Sequence, residues 1–123
     1  YHDEDHYTTA ADMAALTRYA LQNESFREVF TTHSYSLAAT NVRAARTLTS
    51  SYKIFDESSE YYYADAVGGK TGFTSAAGYC FVCSAERDGV SLIAVVFKSG
   101  ATGTNRWTDA ARLFEYGFAV RGV

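Results

Sequence analysis

GGKTGFTSAAGYCFVCSAERDGVSLIAVVF, residues 68–97, is the stretch from which the rest of the chain can be read. Its centre holds Asp88-Gly89, a pair that suits the tight turn of a β-hairpin because both positions tolerate positive φ. The runs on either side of that turn, Tyr79–Cys83 and Leu92–Phe97, are apolar without a break rather than alternating. Unbroken apolar strands are those covered on both faces, so helices are expected on each side of the sheet. The pattern predicts strands over 69–74, 78–85 and 90–98, joined as an antiparallel meander. The first of these carries Lys70-Thr71-Gly72 between glycines. Gly72 has no side chain, so a ligand backbone can come close there. Lys70 and Thr71 alternate faces, and whichever projects into a cleft offers a cation or a hydroxyl to a carboxylate.

Outward from this core, Thr9 with Asp12 reads as a helix N-cap and a first-turn acid. Met13, Leu16, Thr17 and Ala20 fall on one face, and Asn23 reads as the stop. A short second helix follows with Phe26, Val29 and Phe30 as its stripe. HSYSLAAT (33–40) suits a short strand, NVRAARTLTSSYK (41–53) an exposed excursion, and FDESSEYYYADA (55–66) a loop. A last helix is expected from Asn105 to Tyr116, with Trp107, Ala110, Ala111 and Phe114 on one face and Gly117 at the C′ position. The fold class is therefore α+β, an antiparallel sheet with flanking helices. Two covering layers over such a sheet need more helix than this pattern supplies.

A length of 123 residues suits one domain. At 47% hydrophobic and 20% charged, the composition is that of a globular protein. A net charge of −3 gives no general attraction to nucleic acid or to an anionic membrane, and neither is expected as a partner. No apolar run approaches the roughly 20 residues that span a bilayer, and the opening YHDEDHYTTA does not read as a signal peptide. Cys80 and Cys83 are spaced C-x-x-C, but three apart on a strand they face opposite ways. They read as small buried hydrophobes, and no metal or cofactor is expected.

Alone, K-T-G is a three-letter signal that a solvated strand lysine also explains. Its surroundings add much more. GGKTGFTSAAGYCFVCSAERDGVSLIAVVF, followed by NRWTDAARLFEYGF and preceded by HDEDHYTTAADMAALTRYAL, resembles the D-alanyl-D-alanine carboxypeptidases of the penicillin-binding, serine β-lactamase-like superfamily. The likeness extends over nearly the whole chain and implies a partial β-lactamase/transpeptidase-like domain. In that family the K-T-G strand is one wall of the active site, opposite a serine nucleophile in S-x-x-K and beside a third motif, S-x-N. The resemblance implies that Lys70 and Thr71 help bind the terminal carboxylate of a peptide ending in D-Ala-D-Ala. Lys70 also raises the positive potential beside the proton-transfer groups. Gly72 clears room for the ligand, and the backbone N–H of Phe73 is one donor of the oxyanion hole. Arg106 matches an arginine that reaches the same carboxylate from the last helix, where the helix dipole adds to its pull on anions.

Ser50-Ser51-Tyr52-Lys53 spells S-x-x-K but lies in the polar excursion, where the family has connecting residues, so it reads as an accidental match. None of Asn23, Asn41 or Asn105 has a serine two residues before it, so S-x-N is absent. The expectation is that residues 1–123 form the C-terminal portion of a catalytic domain that begins just after S-x-N, with no nucleophile and no activity of its own. That also accounts for the short covering layer. The implied activity is a serine DD-carboxypeptidase acting on peptidoglycan stem peptides through an acyl-enzyme, binding β-lactams, and working outside the cytoplasmic membrane. A serine β-lactamase or DD-endopeptidase shares the K-T-G logic. A non-catalytic module that holds peptide on the strand edge is the alternative of a different class. This segment is not expected to touch the membrane, and uncovered core surface favours self-association.

Overall fold

A computed structural model describes residues 2–123. Helix α1 (Ala10–Ala20) starts where Thr9 accepts a hydrogen bond from the N–H of Asp12 at 3.1 Å. It ends at Leu21, and Asn23 does not serve as its stop. The Asn23 side chain instead caps the N-terminus of α2 (Glu24–Phe30), accepting from Phe26 N–H at 3.0 Å. Strands β1 (Ser34–Leu37) and β2 (Arg46–Thr49) form a small antiparallel ladder, so part of the expected excursion is strand. The four residues of β2 are all exposed, which is why no hydrophobic alternation announces it. A 3-10 turn (Lys53–Phe55) joins the end of the expected excursion to the start of the segment expected to be loop, and its Ile54 is fully buried.

The main sheet is a meander in the order β3 (Ala66–Thr74), β4 (Gly78–Arg87), β5 (Val90–Val96). β3 begins three residues before the expected Gly69 and carries an irregularity between Ala66 and Gly68. The β4–β5 turn has φ of 48° at Asp88 and 79° at Gly89, the positive pair that a twisted two-residue hairpin requires. β5 stops at Val96 rather than Lys98, where φ turns to 50°.

Helix α3 (Asn105–Arg121) is longer than expected, because Gly117 lies inside it and Gly122, at φ 78°, is the left-handed cap. Gly117 serves packing instead: a Cβ there would come within 2.8 Å of Leu92 Cδ1 on β5. The buried stripe of α3 is Trp107, Ala110, Phe114 and Phe118, with Ala111 only half-buried. It packs on Phe81, Cys83, Ala85, Ala94 and Val96 of the sheet. Trp107 meets Phe81 edge-on with ring centres 4.8 Å apart. Each of these large side chains contributes about 1.5–3 kcal/mol on burial.

The opposite face of the sheet is covered by α1, as the unbroken apolar strands require, but only in part. Between α1, α2 and strands β3 and β4 an apolar cleft of about 620 Å³ remains, lined by residues that include Leu16, Phe26, Val29, Cys80 and Val82. Cys80 and Cys83 sit on opposite faces, the first at this cleft and the second in the α3 core. At the turn end of the sheet Arg87 ties three elements together. Its guanidinium reaches Asp65 at 2.7 Å and Glu115 at 2.6 Å and lies over the Phe118 ring. Among the described residues no helix is long and apolar enough to cross a membrane.

Candidate functional site

Among the described residues β3 is an edge strand: β4 pairs with one side, and no strand pairs with the other. Lys70 lies opposite Val82 on the face toward α1, and Thr71 opposite Phe81 on the face toward α3. The two chemical side chains of K-T-G thus flank one open edge from its two faces.

Three glycines in GGKTG have different reasons for being glycine. A Cβ at Gly68 would fall 2.6 Å from the Phe30 ring, and one at Gly69 would fall 2.7 Å from Phe81 and 2.8 Å from the Val82 carbonyl. Those two positions let the core close. At Gly72 the nearest atom to a Cβ is Cys80 Cβ at 4.0 Å, so the protein's own packing leaves that position free.

The open edge at Thr71 is occupied by side chains of the same chain. Thr71 N–H donates to Tyr52 Oη at 3.2 Å, and Thr71 Oγ1 donates to the same oxygen at 3.2 Å. Lys70 Nζ folds back to donate to the Thr71 carbonyl. In an antiparallel ladder alternate residues turn their backbone groups to the same side. Phe73, two residues beyond Thr71, therefore directs its N–H to the open edge as well. Its ring is 58% exposed and packs at a tilt against Tyr79 with centres 4.6 Å apart.

Arg106 reaches this region from the first turn of α3. Its guanidinium lies over Trp107 at 4.4 Å and Tyr79 at 5.5 Å from the ring centres, which holds the head group in place without neutralising it. Its Nε is buried and finds no hydrogen-bond partner among the described residues. The Tyr52 hydroxyl registers both cations. Burial pushes its pKa up, but the two hydrogen bonds from Thr71 and the charges of Lys70 and Arg106 together bring it below the ordinary tyrosine value. The fold thus gathers Lys70, Thr71, Gly72, the Phe73 N–H and Arg106 around one strand edge.

Tyr52 is the participant that sequence reasoning missed. It sits in the excursion with no periodic signal, and only its aromaticity set it apart. Its ring is held by Phe55, Phe81 and Trp107, at 6.1, 6.1 and 5.6 Å. The nearby Ser50 and Lys53 are not paired with each other. Ser50 Oγ accepts from Tyr52 N–H at 3.3 Å, and Lys53 Nζ is joined to Asp56 at 3.1 Å. Among the described residues no cluster of three or more His, Cys, Asp or Glu is arranged to hold a metal ion.

Chemically, this edge is an anion-receptive wall: two cations, a threonine hydroxyl, a tyrosine hydroxyl and an outward backbone N–H. The family model described as D-alanyl-D-alanine carboxypeptidase matches residues 1–101, a span that includes the K-T-G edge but stops short of Arg106. A D-alanyl-D-alanine carboxypeptidase of Streptomyces sp. (strain K15) is 31% identical over 115 residues, covering 93% of this chain and 38% of the relative. One from Mycobacterium tuberculosis is 31% identical over 117 residues, covering 92% and 37%. The chain thus spans less than two fifths of the length of these relatives. The crystal structure of the Streptomyces K15 DD-transpeptidase superposes with a TM-score of 0.80 at 29% identity, over 95% of this chain and 44% of that one.

Proposed function

Because the chain belongs to the D-alanyl-D-alanine carboxypeptidase family, we propose that residues 1–123 form the K-T-G-bearing portion of a serine DD-carboxypeptidase catalytic domain. The observation that carries this reading is the meeting of Lys70, Thr71 and Arg106 at an unpaired strand edge beside an outward Phe73 N–H. A stem peptide ending in D-Ala-D-Ala lays its terminal carboxylate among Lys70, the Thr71 hydroxyl and Arg106. Gly72 lets its backbone approach the strand. The scissile carbonyl oxygen then faces the N–H of Phe73, which stabilises the charge that develops there during acyl transfer. A serine outside these 123 residues attacks that carbonyl, D-alanine leaves, and water hydrolyses the acyl-enzyme. β-Lactams, which carry a carboxylate beside a reactive amide, enter by the same contacts. The substrate is cell-wall peptide, so the domain works outside the cytoplasmic membrane. That Ser50 Oγ accepts from Tyr52 N–H and Lys53 Nζ is joined to Asp56 supports a nucleophile other than Ser50.

Fluorescent penicillin tests the assignment. The expected result is a covalent adduct on the full-length protein at a serine outside residues 1–123, with none on the isolated chain. An adduct at Ser50 overturns it. In the full-length protein, Arg106→Gln is expected to lower kcat/KM for a D-Ala-D-Ala peptide roughly 10- to 100-fold, the loss of one charged hydrogen-bond partner. An unchanged kcat/KM removes Arg106 from the site.

A further inference from the structure

Tyr52 holds a place at this edge that neither K-T-G nor Arg106 explains. A phenol oxygen has two acceptor sites and one proton to give. Thr71 fills both acceptor sites, one with its backbone N–H and one with its hydroxyl, each at 3.2 Å. The hydroxyl proton of Tyr52 is therefore left to donate elsewhere, and no acceptor among the described residues takes it. The charges that act on this oxygen are Lys70 and Arg106, both cations. A free O–H in such surroundings is matched by an anion. The donor is also fixed before any ligand arrives: its ring is wedged against Phe81 and Trp107, and its backbone N–H is tied to Ser50 Oγ. Holding a donor in place beforehand is what allows it to strengthen binding without an ordering cost.

Resting on the reading that a carboxylate binds at this edge, we infer that the Tyr52 hydroxyl is a further ligand of that carboxylate, acting with Lys70, Thr71 and Arg106. Tyr52 thus makes the site select a free C-terminus over a blocked one. The anion completes the valence of the phenol; the Thr71 N–H alone then keeps Tyr52 Oη in position, and the Thr71 hydroxyl proton turns from Tyr52 to the same carboxylate. Tyr52 takes no part in the acyl transfer itself.

The test is binding of diacetyl-Lys-D-Ala-D-Ala and of its C-terminal carboxamide to the full-length protein, as wild type, Tyr52→Phe and Arg106→Gln. The wild type is expected to prefer the acid. Tyr52→Phe should weaken acid binding roughly tenfold, the size of one hydrogen bond to a charged group, and leave the amide unaffected. If Arg106→Gln weakens the acid while Tyr52→Phe does not, or if Tyr52→Phe weakens acid and amide alike, the inference about Tyr52 fails and the carboxylate site stands. A wild type that does not distinguish acid from amide sinks both. Should Tyr52→Phe not fold, the wild type answers by tyrosine titration followed by ultraviolet difference absorbance. Bound acid, placing a negative charge beside the phenol, should raise its pKa, and bound amide should not. No shift with acid bound overturns the inference.

Discussion

Gly69 and Gly72 stand three residues apart and are glycine for opposite reasons. A methyl at Gly69 would press on the Phe81 ring at 2.7 Å and on the rigid Val82 carbonyl at 2.8 Å. Gly69→Ala should therefore cost about 1–3 kcal/mol of stability, the usual toll of overpacking, seen as a lower denaturant midpoint. A methyl at Gly72 meets nothing closer than 4.0 Å. Gly72→Ala should leave the midpoint nearly unchanged while weakening acid-peptide binding in the full-length protein. If Gly72→Ala destabilises as much as Gly69→Ala, Gly72 is a packing glycine and its place in the site is lost. The sequence shows three glycines around one lysine and cannot sort them, because the sorting depends on side chains that reach them from Phe30 and Phe81.

At the scale of the element, α3 is where local signals and packing diverge. Gly117 carries the composition of a helix stop, yet the helix continues for another turn because Phe118 has a core to enter. The glycine that ends the helix is Gly122, in the left-handed conformation. Asn23 shows the same ambiguity in reverse, since a residue that can close one helix can also cap the next. α3 is pinned to the sheet by Glu115, which accepts from Arg87 Nη2 and from Tyr63 Oη, both at 2.6 Å. The bond from Arg87, then that from Tyr63, holds the Glu115 carboxyl below its ordinary value of 4.5. A lowered folded pKa means that the stabilisation is complete above the unfolded value and is lost as pH falls through the folded one. Calorimetry at about pH 7 and about pH 3.5 should accordingly show a smaller acid-induced drop in Tm for Glu115→Gln than for the wild type. Equal drops would mean that the clamp contributes nothing measurable.

For the molecule as a whole, the decisive feature is uneven cover. α3 seals one face of the sheet with four buried side chains. On the other face α1 and α2 leave an apolar cleft of about 620 Å³, and Leu16 and Val29 at its rim are 56% and 76% exposed. Apolar surface of this kind draws another apolar surface to it. The 123-residue chain is expected to self-associate, with a sedimentation coefficient that rises with concentration, and Leu16→Ser with Val29→Ser should suppress the rise. A wild-type chain that sediments as a monomer at every concentration would show that the exposed face does not drive assembly.

The sequence by itself determined the local pieces of this protein. The Asp88-Gly89 turn, the Thr9 cap, the apolar runs of β4 and β5, the Trp107 stripe and the K-T-G resemblance are all readable there. The turn, the cap, the runs and the stripe are set by backbone sterics or hydrophobic patterning within a few residues, and the resemblance lies in the motif and the segments that flank it. Tertiary structure alone decided which edge of β3 stays open, that Tyr52 crosses 19 residues of chain to meet Thr71, and that α3 brings Arg106 to the same place. Nothing local marks such a meeting, because the nearby Phe55 and Ser50 fix where its hydroxyl comes to rest only together with Phe81 and Trp107, which are distant in the chain.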